Sequence, residues 1–226
     1  MKAGPADPGF LLPERKARID AVVAQRTRTL TVVMEALADP QNTNAVLRTA
    51  ESFGVQEVHV VVGPQKRFDR NKKVSQNADK WLEVVRWNDT GSCLASLKAR
   101  GFRIYATHLG GGSVALAELS FAEPVALVFG NEHAGVSEAA RRLADRSFAI
   151  PMRGFSQSFN VSVAAAICLA RAVDRREVER GRHGDLGPEE AEALRARFYA
   201  LSVNQRARIA KAAQAEERRA AQRGGA

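Results

Sequence analysis

At residues 125–144 the chain reads VALVFGNEHAGVSEAARRLA, and this segment decides the fold class. Five apolar residues, typical of a strand that is buried on both faces, run directly into Gly130-Asn131-Glu132. A helical pattern follows from Ser137 to Ala144. A strand that ends in a polar turn and is followed by a helix is the repeating unit of an α/β sheet.

The same alternation recurs on both sides of this segment. Strands are predicted at residues 30–34, 58–62, 81–87, 102–107, 125–129 and 148–150, and helices at 14–28, 44–53, 92–100, 137–144, 158–178 and 188–201. Apolar strands that alternate with helices predict a mostly parallel sheet with helices on both faces. We expect three parts: an unstructured start and an arginine-rich helix at 1–28, the α/β domain at 29–178, and a basic helical extension at 179–226.

Composition restricts the function classes. The 226 residues are 45% hydrophobic, enough for one core, and carry a net charge of +9. That charge, which includes a basic cluster at residues 66–73, indicates either contact with nucleic acid phosphates or merely a solvated surface. No segment has the length of a membrane span or the pattern of a signal peptide, so we expect a cytoplasmic protein without a membrane partner. The four histidines lack metal-ligand spacing, and Cys93 and Cys168 are expected to be packed free thiols, so no metal is expected.

Two further segments place polar residues after a predicted strand. They read DPQNTNAVLRTA at 39–50 and IPMRGFSQSFNVSVAAA at 150–166. Helix capping would explain one asparagine of the first segment, Asn42 or Asn44, and either Ser158 or Asn160 of the second. Capping does not explain Arg48, which we expect in a half-buried turn where a guanidinium needs a partner. That partner is either an internal carboxylate such as Glu132 or an anion or hydroxyl in a binding site.

Two common nucleotide-binding patterns are absent from the sequence. No Gly-x-Gly-x-x-Gly follows the first strand, which disfavours a nicotinamide enzyme, and no Gly-x-x-x-x-Gly-Lys-Ser/Thr loop is present. The triplet Gly110-Gly111-Gly112 is interpreted as a flexible loop rather than a phosphate cradle.

Together the three polar segments resemble, in order and spacing, the three motifs of the SPOUT superfamily, and specifically of its TrmH/SpoU branch of RNA ribose 2′-O-methyltransferases. Asn42 and Arg48 match the first motif, FGNEHAG at 129–135 matches the second, and IPMRGFSQSFNVSVA at 150–164 matches the third. The resemblance covers roughly residues 14–178. The chain departs from the family's usual residues at Gln41, Phe155 and Phe159.

The resemblance implies a homodimer with a deep trefoil knot near residues 125–165 and S-adenosylmethionine as the cofactor. It implies cofactor binding by residues around the knot, which are Leu127, Gly130, Ile150, Met152, Ser158 and Phe159. The positions that match the family's catalytic residues are Asn42, Arg48, Glu132, Ser158 and Asn160. Arginines near both ends are the candidates for RNA binding: Arg15, Arg18, Arg26, Arg28, Arg175, Arg176, Arg180 and Arg182.

The resemblance leaves two questions open: what Arg48 does in the reaction, and which RNA is methylated. The family assigns this arginine to activation of the hydroxyl, but a guanidinium holds its proton too strongly to be an efficient base. Our hypothesis is that Arg48 stabilises the developing alkoxide and binds the adjacent phosphate. The expected substrate is a D-loop guanosine of tRNA; the alternatives are a ribosomal RNA ribose and a non-catalytic RNA-binding protein on the same fold.

Overall fold

The computed structural model describes residues 11–37, 39–62, 79–131 and 133–203. The strands are β1 (Leu30–Glu35), β2 (Glu57–Val61), β3 (Glu83–Trp87), β4 (Arg103–Thr107), β5 (Val114–Ala115), β6 (Val125–Phe129) and β7 (Arg146–Ala149). The helices are α1 (Pro13–Ala24), α2 (Pro40–Ser52), α3 (Thr90–Ala99), α4 (Glu138–Leu143), α5 (Val161–Arg180) and α6, which occupies 188–203 of the described residues. A short 3-10 helix spans Leu116–Glu118.

All seven strands form one sheet in the order β3-β2-β1-β6-β4-β7-β5, and every pair of neighbours is parallel. The predicted parallel α/β sheet is therefore confirmed. The central strands β1 and β6 are buried along their whole length, as their continuous apolar sequence requires. The two-residue strand β5 was not predicted, because two residues are too few to show a hydrophobic period.

Helices cover both faces of the sheet, as predicted. Alternate residues of β1 and β6 point to opposite faces. Leu30 and Leu127 belong to the core shared with α2 and α5, whereas Val33 and Val128 belong to the core shared with α3 and α4. The helix α5 also packs against α2, which brings the beginnings of these two helices close together.

The described residues divide into two compact units. Residues 25–185 contain the sheet and helices α2–α5, and residues 11–24 with 186–203 form the second unit. In the second unit, Asp20 accepts hydrogen bonds from Arg195 Nε at 2.9 Å and from the Tyr199 hydroxyl at 3.0 Å, which joins α1 to α6. Among the described helices, none combines the length and the apolar character needed to cross a membrane. The trefoil knot and the functional division at residues 28 and 178 stay predictions.

Candidate functional site

The three polar segments follow the carboxyl ends of β1, β6 and β7. Since all strands are parallel, these ends lie along the same edge of the sheet, where α/β proteins bind ligands. β1 and β6 are hydrogen-bonded neighbours, and β7 is separated from β6 only by β4. Segments that are far apart in sequence therefore meet at one edge.

The first segment enters helix α2 one turn earlier than predicted. Pro40 occupies the first helical position and the Asp39 carboxylate accepts from the Gln41 N–H at 2.7 Å, so Asp39 is the N-cap. The prediction that Asn42 or Asn44 caps this helix is wrong. The Asn42 side chain, half-buried within the first turn, is thereby left for another contact.

Arg48 lies two turns further along the same helix. Its predicted half-buried position is wrong: the side chain is exposed, because Val46 and Leu47 occupy the face that packs on the sheet. An exposed guanidinium on this helix is accessible to a ligand as large as an RNA strand.

Asn160 joins the third segment to the first. Its amide Nδ2 donates to Asn42 Oδ1 at 3.0 Å, across 118 positions of the chain. Its Oδ1 accepts from the Ser162 N–H at 2.9 Å and from the Ser162 hydroxyl at 2.6 Å, so Asn160 is also the N-cap of α5. Asn160 was one of the two predicted caps of this helix, and it is confirmed as the cap. A single side chain thus fixes the start of α5 to the first turn of α2.

The second segment forms a closed loop directly after β6. Asn131 and Gly135 exchange two backbone hydrogen bonds of 3.0 and 2.8 Å, and Asn131 Oδ1 accepts from the His133 N–H at 2.9 Å. Gly130 has to be glycine here, because a Cβ atom would overlap the backbone of Gly135 and Val136. Glu132, the predicted catalytic carboxylate of this loop, lies outside the described residues.

The end of β1 holds this loop through a residue that the sequence analysis missed. The buried Glu35 carboxylate accepts from the Ser137 N–H at 2.8 Å and from the Thr90 hydroxyl. The neighbouring Ala36 carbonyl accepts from Asn131 Nδ2 at 2.9 Å. The sequence signal was available, since Glu35 is the one ionisable residue in an otherwise uncharged, fully buried strand.

The predicted cofactor residues lie at the same edge with different exposures. Leu127 is buried inside β6, whereas Ile150 and Met152, after β7, are half-buried. Ser158 and Phe159 are exposed, Phe159 at 39%. Phe155 in the same loop is fully exposed. The edge therefore presents apolar side chains next to exposed loop backbone.

Two of the eight predicted RNA-binding arginines are buried. The Arg26 side chain is 1% exposed, donates to the Val55 carbonyl at 2.9 Å and pairs with Glu51 at 2.5 Å. The Arg176 side chain is 0% exposed and pairs with Asp185 at 2.8 Å. The prediction that Arg26 and Arg176 contact RNA is wrong, because a buried guanidinium bound to internal partners cannot reach a phosphate.

Burial lowers the pKa of Arg176, and the nearby charge of Arg180 lowers it further, against the attraction of Asp185. Burial would raise the pKa of Asp185, but hydrogen bonds from the Thr27 and Thr29 hydroxyls keep it below its ordinary value. The cluster is thus an internal, ionised pair that supports the fold.

The other six arginines differ in their availability. Arg28 binds Glu83 through two hydrogen bonds of 2.8 and 2.7 Å, Arg180 donates to Thr29, and Arg175 pairs with Glu179 one turn along α5. Arg15, Arg18 and Arg182 are exposed. An ion-paired arginine has less charge to offer a nucleic acid than an exposed one. Arg15 also donates to the Ser202 hydroxyl at 3.3 Å, a neutral partner that leaves its charge in place.

Cys93 and Cys168 are buried free thiols, as predicted, and burial raises the pKa of each to about 12. Within the described ranges, no cluster of three or more histidine, cysteine or acidic side chains could hold a metal ion. Among the predicted catalytic residues that the structure describes, the polar groups are the amides of Asn42 and Asn160, the Ser158 hydroxyl and the exposed Arg48 guanidinium.

Comparison with known proteins identifies the same segments. The SpoU rRNA Methylase family matches residues 29–170, which include all three polar segments. The tRNA (guanosine(18)-2′-O)-methyltransferase of Escherichia coli is 38% identical over 165 residues, covering 73% of this chain and 72% of the relative. The Thermus thermophilus protein of the same name is 40% identical over 162 residues, covering 72% and 83%.

Solved structures of two methyltransferases of the same kind also superimpose on this chain. The Aquifex aeolicus TrmH/SpoU tRNA modifying enzyme superimposes with a TM-score of 0.75 at 32% identity, over 84% of this chain and 96% of that one. The SpoU methyltransferase AviRb of Streptomyces viridochromogenes in complex with AdoMet superimposes with a TM-score of 0.59 at 28% identity, over 68% of this chain and 58% of that one.

Proposed function

The chain belongs to the SpoU rRNA Methylase family, and we propose that it methylates the ribose of a D-loop guanosine in tRNA. It is an S-adenosylmethionine-dependent RNA 2′-O-methyltransferase, and its relatives named for methylation of guanosine 18 of tRNA are 33–40% identical. The structural observation that carries the proposal is the Asn160–Asn42 hydrogen bond, which joins the first and third polar segments at one edge of the sheet.

The residues at this edge fit S-adenosylmethionine. Half-buried Ile150 and Met152 and exposed Phe159 offer apolar surface for an adenine ring, beside the loop backbone that can bind its polar edge. We propose that Leu127, Gly130 and Ser158 complete the binding set. When bound, the cofactor supplies an electrophilic methyl carbon on a sulfonium.

The chain's own part in the reaction is to bind the ribose and stabilise charge. We propose that Arg48 stabilises the negative charge that develops on the 2′-oxygen as the hydroxyl proton passes to water, and that it binds the adjacent phosphate. Asn42, held by Asn160, would orient the ribose, and Glu132 and Ser158 complete the proposed catalytic set. Accessibility of Arg48 supports this role, because a phosphate can reach an exposed guanidinium.

The test is transfer of tritium from labelled S-adenosylmethionine into unmodified bulk tRNA and, separately, into ribosomal RNA. We expect label in tRNA that Arg48→Ala abolishes and Arg103→Ala retains. Arg103 is a matched control, since it is an exposed arginine paired with Glu123 at the opposite edge of the sheet. Label only in ribosomal RNA would contradict tRNA as the substrate. No label in either RNA would favour a protein that binds RNA without methylating it.

The role of Arg48 has a separate test in the pH dependence of single-turnover methyl transfer. If Arg48 stabilises charge, Arg48→Lys should lose rate at every pH without moving the apparent pKa of the reaction. A variant that kept nearly full rate with a much lower apparent pKa would favour the base model instead.

We propose that the arginines exposed at the two ends bind the tRNA backbone, as residues of extensions at 1–28 and 179–226 around a catalytic domain at 29–178. Replacing Arg15, Arg18 and Arg182 by alanine should weaken tRNA binding and reduce its salt dependence, while Arg103→Ala leaves both unchanged. Equal salt slopes for the triple variant and the parent would contradict this assignment.

We also propose that the protein is a homodimer. Val163, in the first turn of α5, is 45% exposed, and a second copy would cover it. Sedimentation of the parent as a dimer and of Val163→Glu as a monomer would support this surface; a monomeric parent would exclude the dimer. With tRNA as its substrate, the protein is expected in the cytoplasm.

A further inference from the structure

Glu35 is a buried carboxylate at the last position of a central strand. It is 5% exposed, and the other residues of β1 are apolar apart from Thr31. A carboxylate in such a place destabilises the fold unless its oxygens accept hydrogen bonds. Its contacts therefore indicate why the chain has a charged residue here.

Each oxygen of the carboxylate binds the start of a different helix. One accepts from the hydroxyl of Thr90, the first residue of α3, and the other accepts from the N–H of Ser137 at 2.8 Å. Ser137 is the N-cap of α4, and its own hydroxyl accepts from the Ala140 N–H at 3.1 Å. The carboxylate thus fixes the point where the loop after β6 enters α4.

The next residue holds the other end of the same loop. The Ala36 carbonyl accepts from Asn131 Nδ2 at 2.9 Å, and the Ala36 N–H donates to the Val61 carbonyl at 3.1 Å. Ala36 adopts φ +50°, a left-handed conformation that is uncommon for a residue with a Cβ atom. The last residue of β1 and the residue that follows it therefore hold both ends of the loop from Asn131 to Ser137.

We propose that Glu35 is a positioning residue for methyl transfer, acting by fixing the loop 131–137 at the cofactor edge. The inference rests on the proposed function of that edge. Glu35 is itself too deeply buried to touch the RNA, and it acts through the backbone of Ser137. The chain continues from Glu35 directly into the segment of Asn42, so the same residue ties the second polar segment to the first.

The variants Glu35→Gln and Glu35→Leu separate hydrogen bonding from volume. A glutamine can accept from the Ser137 N–H through its oxygen and donate to the Thr90 hydroxyl through its amide, so both contacts survive. A leucine fills a similar volume and makes neither contact. We expect binding of S-adenosylhomocysteine, measured by calorimetry, to weaken about tenfold or more in Glu35→Leu and by less than about threefold in Glu35→Gln.

A second readout needs no ligand. In the cofactor-free protein, hydrogen exchange at the Ser137 and Gly135 amides should accelerate in Glu35→Leu and remain slow in Glu35→Gln. If Glu35→Leu does not fold, Thr90→Val takes its place, since it removes one of the two contacts; it should weaken S-adenosylhomocysteine binding while Glu35→Gln retains it.

Thr31→Val is the matched control. Thr31 is buried in the same strand and donates to the Glu57 carbonyl at 2.7 Å, so its loss removes a buried hydrogen bond away from the loop. We expect lower stability and unchanged S-adenosylhomocysteine binding. Equal binding by Glu35→Leu and the parent, or equal losses in Glu35→Leu and Thr31→Val, would overturn the proposal. Failure of the parent to bind S-adenosylhomocysteine would instead overturn the proposed function.

Discussion

At the scale of single residues, Gly130 shows how backbone approach shapes the cofactor edge. A Cβ atom at this position would overlap the backbone of Gly135 and Val136, neither of which is a flexible side chain that could move aside. We expect Gly130→Ala to open the loop, to lower the free energy of unfolding by about 1–3 kcal/mol and to weaken S-adenosylhomocysteine binding. Thermal unfolding and calorimetry measure the two effects.

Gly111→Ala is the control for this prediction, because a Cβ atom there would meet nothing within 4 Å. Its stability should stay within about 0.5 kcal/mol of the parent. Unchanged cofactor affinity in Gly130→Ala would show that the loop tolerates the opening and does not bind the cofactor.

A second pair of glycines separates conformational strain from overlap. Gly54 and Gly101 both have positive φ, +75° and +85°, but only at Gly54 would a Cβ atom overlap a backbone atom, the carbonyl oxygen of Gln25. We expect Gly101→Ala to cost about 1–2 kcal/mol through φ alone, and Gly54→Ala to cost roughly 3 kcal/mol or more. Urea unfolding measures both; equal losses would contradict the overlap.

Gly54 also shows that a single sequence reveals the local conformation of a residue but not its long-range contacts. It directly follows the helix predicted at 44–53, where a glycine is typical of a left-handed helix end, and in the structure it has a positive φ just after α2. The close approach of Gln25 could not be predicted, because the two residues meet only after the chain has folded. The contacts of Glu35 were hidden for the same reason, since Thr90 and Ser137 are 55 and 102 positions away.

At the scale of elements, the starts of α2 and α5 are joined by Asn160, which has two separable functions. Its oxygen caps α5, and its amide donates to Asn42. An aspartate would cap equally well and would favour the helix N-terminus through its charge, but it cannot donate to Asn42 Oδ1. Asn160→Asp should therefore retain stability and lose methyl-transfer rate.

The expected rate loss is about tenfold or more, measured in single-turnover reactions with saturating RNA. Asn160→Ala is the comparison variant: it should lose both the rate and about 1 kcal/mol of stability, because it also lacks the cap. A full rate in Asn160→Asp would show that donation from residue 160 to Asn42 Oδ1 has no part in the reaction.

The existence of the strands and helices was easier to predict from the sequence than the residues at which they begin and end. Six of the seven described strands followed from continuous apolar runs, which a parallel sheet covered on both faces requires, and the helices followed from their hydrophobic periods. The start of α2 was misplaced because Asn42 and Asn44 are as good caps in isolation as Asp39. The proline at position 40, which fits the first helical position, was the local signal that decides between them.

At the scale of the whole molecule, the 34 lysines and arginines of the sequence overstate the number of cations that RNA can meet. Arg26 and Arg176 are buried, and Arg28 binds Glu83. Arginines near both ends were predicted to bind RNA, but the fold pairs several of them with internal carboxylates. The sequence gives the number of charged side chains, but only the fold shows which arginines are paired with a carboxylate.

The buried cluster around Arg176 also makes stability depend on pH through His183. Burial lowers the pKa of His183 below its ordinary value of 6.5, and the charge of Arg176 lowers it further, against a hydrogen bond to the Phe53 carbonyl. The unfolded chain takes up a proton as the pH falls through about 6.5, whereas the folded chain does so only at lower pH. The contribution of His183 to the free energy of unfolding is therefore complete above about pH 6.5 and decreases below it.

His183→Gln tests this dependence, since a glutamine amide can still donate to the Phe53 carbonyl but does not titrate. Between pH 7.5 and 5.5, the free energy of unfolding of the parent should fall more than that of the variant, by at most about 1.4 kcal/mol per pH unit. The other three histidines are present in both proteins, and Asp185, with its lowered pKa, stays ionised over this range, so the difference isolates His183. Parallel pH profiles in urea unfolding would mean that His183 is protonated as readily in the folded chain as in the unfolded one, and that the cluster accommodates a second positive charge.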